Sequence, residues 1–337
     1  MFKFIIKKFK SIKNKGLKKS YRRICYLYHN RMRKCKFGDK NPDKVFYVIR
    51  GIDHHSKYYD GVALNLLANY SYVLSHLIYA EKKGWIPLID QRNDPVNVQE
   101  DFMINGTNNP WEYFWKQPTS YSLEDVYRSS NVILSKREWY APGNLEYDIH
   151  LHTDLCTVNR YHKLMDTIQL NHATQKYVDG NIAKLLNGRG KILGISLRRG
   201  GHSKADSFHA SKHPIQPTPE QLAKLVQNRL IKWNMDAVFL ATEEQQYIEY
   251  FKDIFGEKLI YLDRKRYNNW RVYTENENPL YQKGSRYQTA LDYLTEMELL
   301  ASCQGLIGSI TSGLRYAIFK NNLVYEHIEL LDNGYFP

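Results

Sequence analysis

The stretch that most limits what this chain can be is Lys191-Ile-Leu-Gly-Ile-Ser-Leu-Arg-Arg-Gly-Gly-His-Ser-Lys-Ala-Asp206. Ile192, Leu193, Ile195 and Leu197 form an almost unbroken apolar run, the pattern of a strand covered on both faces in a parallel sheet. The run stops at Arg198 and Arg199, and Gly200 and Gly201 follow. Adjacent side chains on a strand point to opposite faces, so only one of the two arginines faces a ligand. The glycines let the backbone turn and come close to whatever that arginine holds. In an open α/β sheet, ligands bind beyond the carboxyl ends of the strands, and a planar guanidinium there recognises carboxylate or phosphate. Taken alone, the pair better fits a strand that exits into a solvated basic loop, and the downstream chain reverses that balance.

The chain on either side repeats the strand–helix alternation. In the second half, the proline-punctuated loop 214–219 leads into a helix over 220–233, with Thr218 as N-cap and Pro219 at the first helical position. Ala237–Ala241 and Leu259–Leu262 read as strands, and a polar loop over 263–286 is long enough for a lid or an acceptor-binding loop. A helix over 287–303 follows, then the strand Gly305–Gly308. Ser309-Ile-Thr311-Ser312-Gly313 then opens a further helix. Hydroxyls and free N–H groups at a helix start suit either an anion or an ordinary cap. In the first half, Val45–Ile49, a helical pattern over 62–83 and Ile86–Asp90 imply a parallel pair. No GxGxxG follows the first strand, so a dinucleotide site is unsupported. The cluster Asn108–Pro118 holds Trp111 and Trp115, which could stack on a sugar ring or plug a core. A short strand at 131–134 and a long helical stretch over 161–186 complete this half, and Asn187-Gly-Arg-Gly190 is the expected domain boundary.

Charge and cysteine content narrow the partners. The net charge is +13, but about fourteen Lys and Arg precede Phe37 with no acid among them. A basic tail on a near-neutral body argues against a nucleic-acid partner. Phe2, Ile5, Ile6, Phe9, Ile12 and Leu17 gather on one side of a helical wheel with lysines opposite. That suits a helix lying in an anionic membrane surface, or else a solvated basic arm. Four scattered cysteines without CxxC spacing fit a reducing compartment and no structural zinc. No window reaches membrane-spanning length, and the N-terminus lacks the marks of a signal peptide. The expected location is cytoplasmic, peripheral on the inner face of the plasma membrane.

Three motifs recur in order at sheet ends: Leu197-Arg-Arg-Gly200, Phe239-Leu-Ala-Thr-Glu-Glu244 and Leu306-Ile-Gly-Ser-Ile-Thr-Ser312. As a set they resemble the donor-binding half of the fucosyltransferase superfamily that includes α1,6-fucosyltransferases, the nodulation fucosyltransferase and protein O-fucosyltransferases. The resemblance covers about residues 190–320, and its details look more like a bacterial branch among surface-polysaccharide enzymes. It implies the GT-B arrangement, an α/β fold of two Rossmann-like domains facing across a cleft. Residues 1–40 are then the basic amphipathic tail, 41–187 the acceptor-side domain and 188–337 the donor domain.

The resemblance further implies GDP-fucose as donor and inverting transfer without a metal. The family's pyrophosphate-bridging arginine falls on Arg198, with Arg199 as its companion, either structural or touching the reacting centre. Its phosphate-binding serine falls on Ser312, next to Thr311, and its carboxylate near guanine falls on Glu296. Gly200, Gly201, His202, Glu243 and Ser309 complete the expected donor contacts. The chain departs from the family pattern at Ser196, where a histidine is usual, at Gly201, where an aspartate is usual, and at Glu243-Glu244, where two aspartates stand.

Elementary chemistry agrees. Glycosyl transfer leaves a nucleoside diphosphate whose developing charge needs a metal or fixed cations and dipoles. No Asp-x-Asp occurs, whereas Arg198 and the start of the helix after Ser309 supply the other route. Asp206 is the candidate base for the acceptor hydroxyl, or else a turn residue. His202, His209 and His213 match no standard metal-ligand spacing, so His209 joins Trp111 and Trp115 as an expected acceptor contact. The expected partners are a nucleotide sugar, a glycan acceptor and an anionic membrane surface through residues 1–36. A non-catalytic anion- or nucleic-acid-binding protein is the alternative, as is transfer from another nucleotide sugar.

Overall fold

A computed structural model describes residues 31–51, 66–92, 98–137, 150–198, 214–266 and 284–337. The first unit runs β1 (Arg33–Cys35), β2 (Phe46–Arg50), α1 (Leu66–Lys83), β3 (Ile86–Asp90), α2 (Leu123–Val126) and β4 (Val132–Leu134). Two further helices follow, α3 (Leu155–Asp166) and α4 (His172–Leu185). The second unit runs β5 (Ile192–Ser196), α5 (Pro219–Lys232), β6 (Ala237–Ala241), α6 (Gln245–Phe255) and β7 (Leu259–Ile260). It continues through α7 (Arg286–Ala301), β8 (Gly305–Gly308), α8 (Ser312–Asn321) and β9 (His327–Leu330). The fold is α/β, built on two separate sheets.

The second sheet is wholly parallel, in the order β7-β6-β5-β8-β9. Numbered from β5, that order is 3-2-1-4-5, the strand order of a Rossmann-type half, and it reverses direction between β5 and β8. The apolar strands fold this way because each must be covered on both faces. Leu193, Ile195 and Leu197 turn to one cluster with Leu222, Val226 and Phe251, while Ile192 joins the cluster on the other face. Gly194 lies under α7: a Cβ there would come within 2.9 Å of Leu300 Cδ2. Helix α5 starts where its cap residues require, with Thr218 Oγ1 accepting from Gln221 N at 3.2 Å, the Gln221 side chain returning the bond, and Pro219 at the first turn.

The first sheet has the order β1-β4-β2-β3, with β2 parallel to both neighbours and β1 antiparallel to β4. Here the structure corrects the sequence reading. Residues 33–40, assigned above to the basic tail, belong to this unit: Arg33–Cys35 pair with Val132–Leu134, and Lys40 N donates to Arg128 O at 3.0 Å. A short basic strand has no apolar alternation to betray it, and its edge position needs none. The expected membrane helix over residues 1–36 falls mainly outside the described residues.

The domain boundary also moves. The stretch expected as one helix over 161–186 is two, broken at 167–171, where Asn171 Oδ1 caps α4 by accepting from Thr174 N at 2.9 Å. Both helices lie on the second unit. Tyr161 packs on Phe319 at a ring separation of 4.6 Å, His162 Nδ1 is 2.9 Å from Phe319 O, and Tyr177 donates to Asp292 at 2.8 Å. Packing therefore does not divide at the Asn187–Gly190 joint, which is a chain turn with Gly188 and Gly190 at positive φ. One continuous core joins the units, from Tyr47 and Tyr70 through Trp111 and Trp115 to Leu294, Tyr316 and Phe319.

Candidate functional site

Strand register places the candidate residues together. Ser196 at the end of β5 pairs with Ala241 of β6 on one side and Gly308 of β8 on the other. Whatever follows those three residues emerges at one carboxyl edge, and it does so at the point where the strand order reverses. Leu197 and Arg198 follow β5, Thr242 and Glu243 follow β6, and Ser309 to Ser312 follow β8. Leu197 N continues the ladder by donating to Ala241 O at 3.0 Å. Arg198 Nε lies 3.3 Å from Glu243 Oε1, with the two side chains 16% and 26% exposed. The neighbouring Glu244 turns inward, fully buried, and its carboxylate accepts from Gln246.

Next to this pair lies a salt-bridge cluster that includes two arginines not singled out from sequence. Arg264 grips Glu296 through two bonds, Nε to Oε1 at 2.9 Å and Nη2 to Oε2 at 2.8 Å. Arg266 adds a third contact, Nη2 to Oε1 at 3.1 Å, and both arginines donate to Thr242 O. All three side chains are within 5% of complete burial. Burial works against the Arg264 cation, yet the Glu296 charge and hydrogen bonds, helped by Glu243 and Asp292, hold its pKa above the usual arginine value. Arg266 goes the other way, lowered by burial and by Arg264 beside it despite Glu296. The available signal was Asp263-Arg-Lys-Arg266 directly after an apolar strand, the logic already applied to Arg198. Glu296, expected to read guanine, thus has both carboxylate oxygens engaged by arginines.

The third component is the start of α8. Thr311 caps it, its Oγ1 accepting from Leu314 N at 3.2 Å. Ser309, Thr311 and Ser312 are all buried. The Ser309 hydroxyl is 1% exposed as a residue and has no hydrogen-bond partner among the described residues. Such groups are rare, because an unpaired buried hydroxyl costs on the order of 1–3 kcal/mol. Gly313 permits α8 to approach α7: a Cβ there would stand 2.4 Å from the Tyr293 hydroxyl and 2.8 Å from Met297 Sδ. From the same helix, buried Arg315 donates to Ser71 Oγ of α1 at 3.0 Å and ties the site to the first unit.

The expected acceptor contacts fare differently. Trp111 and Trp115 are 0% and 1% exposed. Tyr70 stacks on Trp111, centroids 5.9 Å apart, and packs against Trp115 at 5.0 Å and Tyr316 at 5.1 Å. Neither indole has a face to offer a sugar, so the two form core between the units and are not acceptor residues. Bulky rings bounded by polar loops read the same way in either role, and only burial separates them. Close to them, a surface cavity of about 490 Å³ opens beyond β3, lined by Arg92, Gln99, Glu100, Asp101, Phe102, Met103 and Asn108. Asp90 fixes Arg92 there, accepting from Nε at 2.9 Å and Nη2 at 2.7 Å. Among the described residues, no three His, Cys, Asp or Glu side chains gather as metal ligands. Arg199, Gly200, Gly201, His202, Asp206 and His209 lie outside the described residues.

No protein-family model matches the sequence, and no curated protein matches it. Among solved structures, the chain is similar to NodZ α-1,6-fucosyltransferase co-crystallised with GDP, at 17% identity, with 86% of this chain and 96% of that one covered and a TM-score of 0.48. It is similar to an Arabidopsis thaliana FUT1 mutant in complex with GDP, at 12% identity, 85% and 70% coverage and a TM-score of 0.46. POFUT1 in complex with GDP gives 8% identity, 86% and 99% coverage and a TM-score of 0.46.

Proposed function

We propose that the chain is a metal-independent, inverting glycosyltransferase that moves fucose from GDP-fucose onto a glycan, a surface polysaccharide or a lipid-linked precursor of one. The observation that carries this reading is the buried Ser309 hydroxyl just before α8, which has no hydrogen-bond partner among the described residues. It emerges at the same carboxyl edge as Arg198, one residue past Gly308, the partner of Ser196, where the strand order reverses. A diphosphate there meets a guanidinium, a helix N-terminus and a buried hydroxyl. The same groups stabilise the charge that grows on the leaving diphosphate as the sugar departs. Asp206 is the proposed base for the acceptor hydroxyl, and Arg199 its neighbour at the reacting centre.

The acceptor side falls to the cavity beyond β3, where Phe102, 52% exposed, offers a ring face and Asn108, Gln99 and Asp101 offer polar partners. The engagement of Glu296 by Arg264 and Arg266 favours a second reading of the base, in which the donor carries a nucleotide other than guanosine. No helix among the described residues is long and apolar enough to cross a membrane. Residues 1–36 are proposed to hold the enzyme at an anionic cytoplasmic membrane face.

Thermal melting against GDP, UDP, CDP and dTDP, with and without EDTA, tests the reading, since a ligand bound only by the folded state raises the melting temperature with its saturation. The expected result is stabilisation by GDP, indifferent to EDTA and lost in Arg198→Ala. A response to UDP or dTDP instead keeps the site and changes the donor. Silence toward all four rejects the donor site and leaves an anion- or nucleic-acid-binding protein.

A further inference from the structure

We propose that Glu243 is a resident counter-anion of the diphosphate site, one that weakens the hold on the spent nucleoside diphosphate more than the hold on the intact sugar donor. The inference rests on the donor-site reading above and adds to it how the site is emptied.

The two carboxylates of this edge differ in how they are held. Glu296 is 2% exposed in its side chain and carries three arginine contacts, so it is a fixed part of the wall. Glu243 is 26% exposed and has one ion-pair partner among the described residues, Arg198, at 3.3 Å. Its charge also reaches Arg264. It stands directly after Thr242 at the end of β6, with Arg198 two residues past Ser196, the partner of Ala241. Glu243 therefore offsets the charge of the arginine assigned to the diphosphate, in the place where the ligand's own charge comes to lie.

The reaction changes that ligand charge by one unit. A nucleotide sugar has its diphosphate esterified at both ends. Transfer breaks the bond between the anomeric carbon and the terminal phosphate oxygen, and the electron pair stays on that oxygen. The acceptor hydroxyl forms the new bond to carbon and gives its proton to the base. The departing diphosphate now has a free terminal phosphate whose second ionisation lies at about pH 6, so at neutral pH it carries one more negative charge than the donor. The Glu243 carboxylate repels the product by that additional unit. Arg198 binds both species, and Glu243 subtracts more from the product.

The test is calorimetric titration of the full-length protein and of Glu243→Gln with GDP and GDP-fucose as probes, at low and high salt. Both probes are expected to bind the variant more tightly, GDP gaining about threefold to fivefold more than GDP-fucose at low salt. High salt should shrink that difference. Glu243→Asp, which keeps the charge, should retain the wild-type ratio, and unliganded melting temperatures should show all three proteins folded. Equal gains for the two probes, an unchanged ratio, or weaker binding would overturn the role and make Glu243 a wall residue or a direct donor contact. Loss of the wild-type ratio in Glu243→Asp would do the same. Wild-type protein that binds neither probe rejects the donor-site reading itself, and this inference with it.

Discussion

Glu100 caps a helix from far along the chain: its Oε2 accepts from the backbone N of Gly284, 184 residues later, at 2.7 Å. Its Oε1 accepts from Tyr287 N at 3.0 Å, while Ser285, at the N-cap position, makes no side-chain cap bond of its own. Arg286 adds a bond from Nη1 to Gln99 O at 3.0 Å. The first unit thus supplies the missing partner of α7, the helix that carries Glu296. A carboxylate at a helix N-terminus is favoured by the dipole as well as by the hydrogen bonds. Glu100→Ala is expected to lower stability by about 1–2 kcal/mol, in the range of N-cap deletions. Urea denaturation measures it, and Glu100→Gln should recover part of the loss because it keeps one acceptor.

Ser309 separates ligand binding from folding. Its hydroxyl has no partner among the described residues, so Ser309→Ala should leave unliganded stability unchanged or raise it by up to about 1 kcal/mol. The stabilisation produced by the bound nucleoside diphosphate should shrink. Melting curves with and without ligand read both quantities. A marked loss of unliganded stability would mean that the hydroxyl serves the fold.

Gly313 is required by contact, not by conformation. The Tyr293 hydroxyl lies 2.4 Å from where its Cβ would stand, so Gly313→Ala must push α8 away from α7. The expected cost is about 1–3 kcal/mol, typical of an overpacked core. Tyr293→Phe removes the nearest clashing atom. The double variant should be more stable than the two single changes predict by addition, and a double-mutant cycle tests that coupling.

Asp90 gives the protein an acid-sensitive element. Burial by itself would raise its pKa, but bonds from Arg92 and Tyr127 and the Arg92 charge lower it below the ordinary aspartate value. A depressed folded-state pKa contributes stability that is complete above the unfolded value of about 4 and is lost as pH falls through the folded one. Wild-type stability should therefore drop on acidification through and below pH 4, and Asp90→Asn should flatten that part of the profile. At neutral pH the asparagine variant should be the less stable, because Arg92 and the Tyr127 hydroxyl, 2.7 Å from Asp90, lose their anionic partner.

Much of the fold could be read from the chain because its signals are local. Apolar runs over 192–197, 237–241 and 305–308 identify strands buried on both faces, and Thr218-Pro219 marks a helix start within one turn. The basic edge strand Arg33–Cys35 and the last strand, His327–Leu330, were not legible. The first has no alternation and the second alternates over only four residues, so pairing with a distant neighbour is what makes them strands.

What the sequence by itself determined is the alternation of strands and helices, and with it the sheet edge at which Arg198, Glu243 and Ser309 emerge. That follows from periodicity and from the rule that ligands gather at carboxyl ends. Only the tertiary structure decided which of the candidates are open to a ligand. Trp111 and Trp115 are buried as core, Glu296 is held by Arg264 and Arg266, and Ser309 is left without a partner among the described residues. The physical reason is that burial and hydrogen-bond satisfaction depend on residues brought together from far along the chain. Arg264 lies 32 residues from Glu296, and Glu100 lies 184 from the backbone it caps.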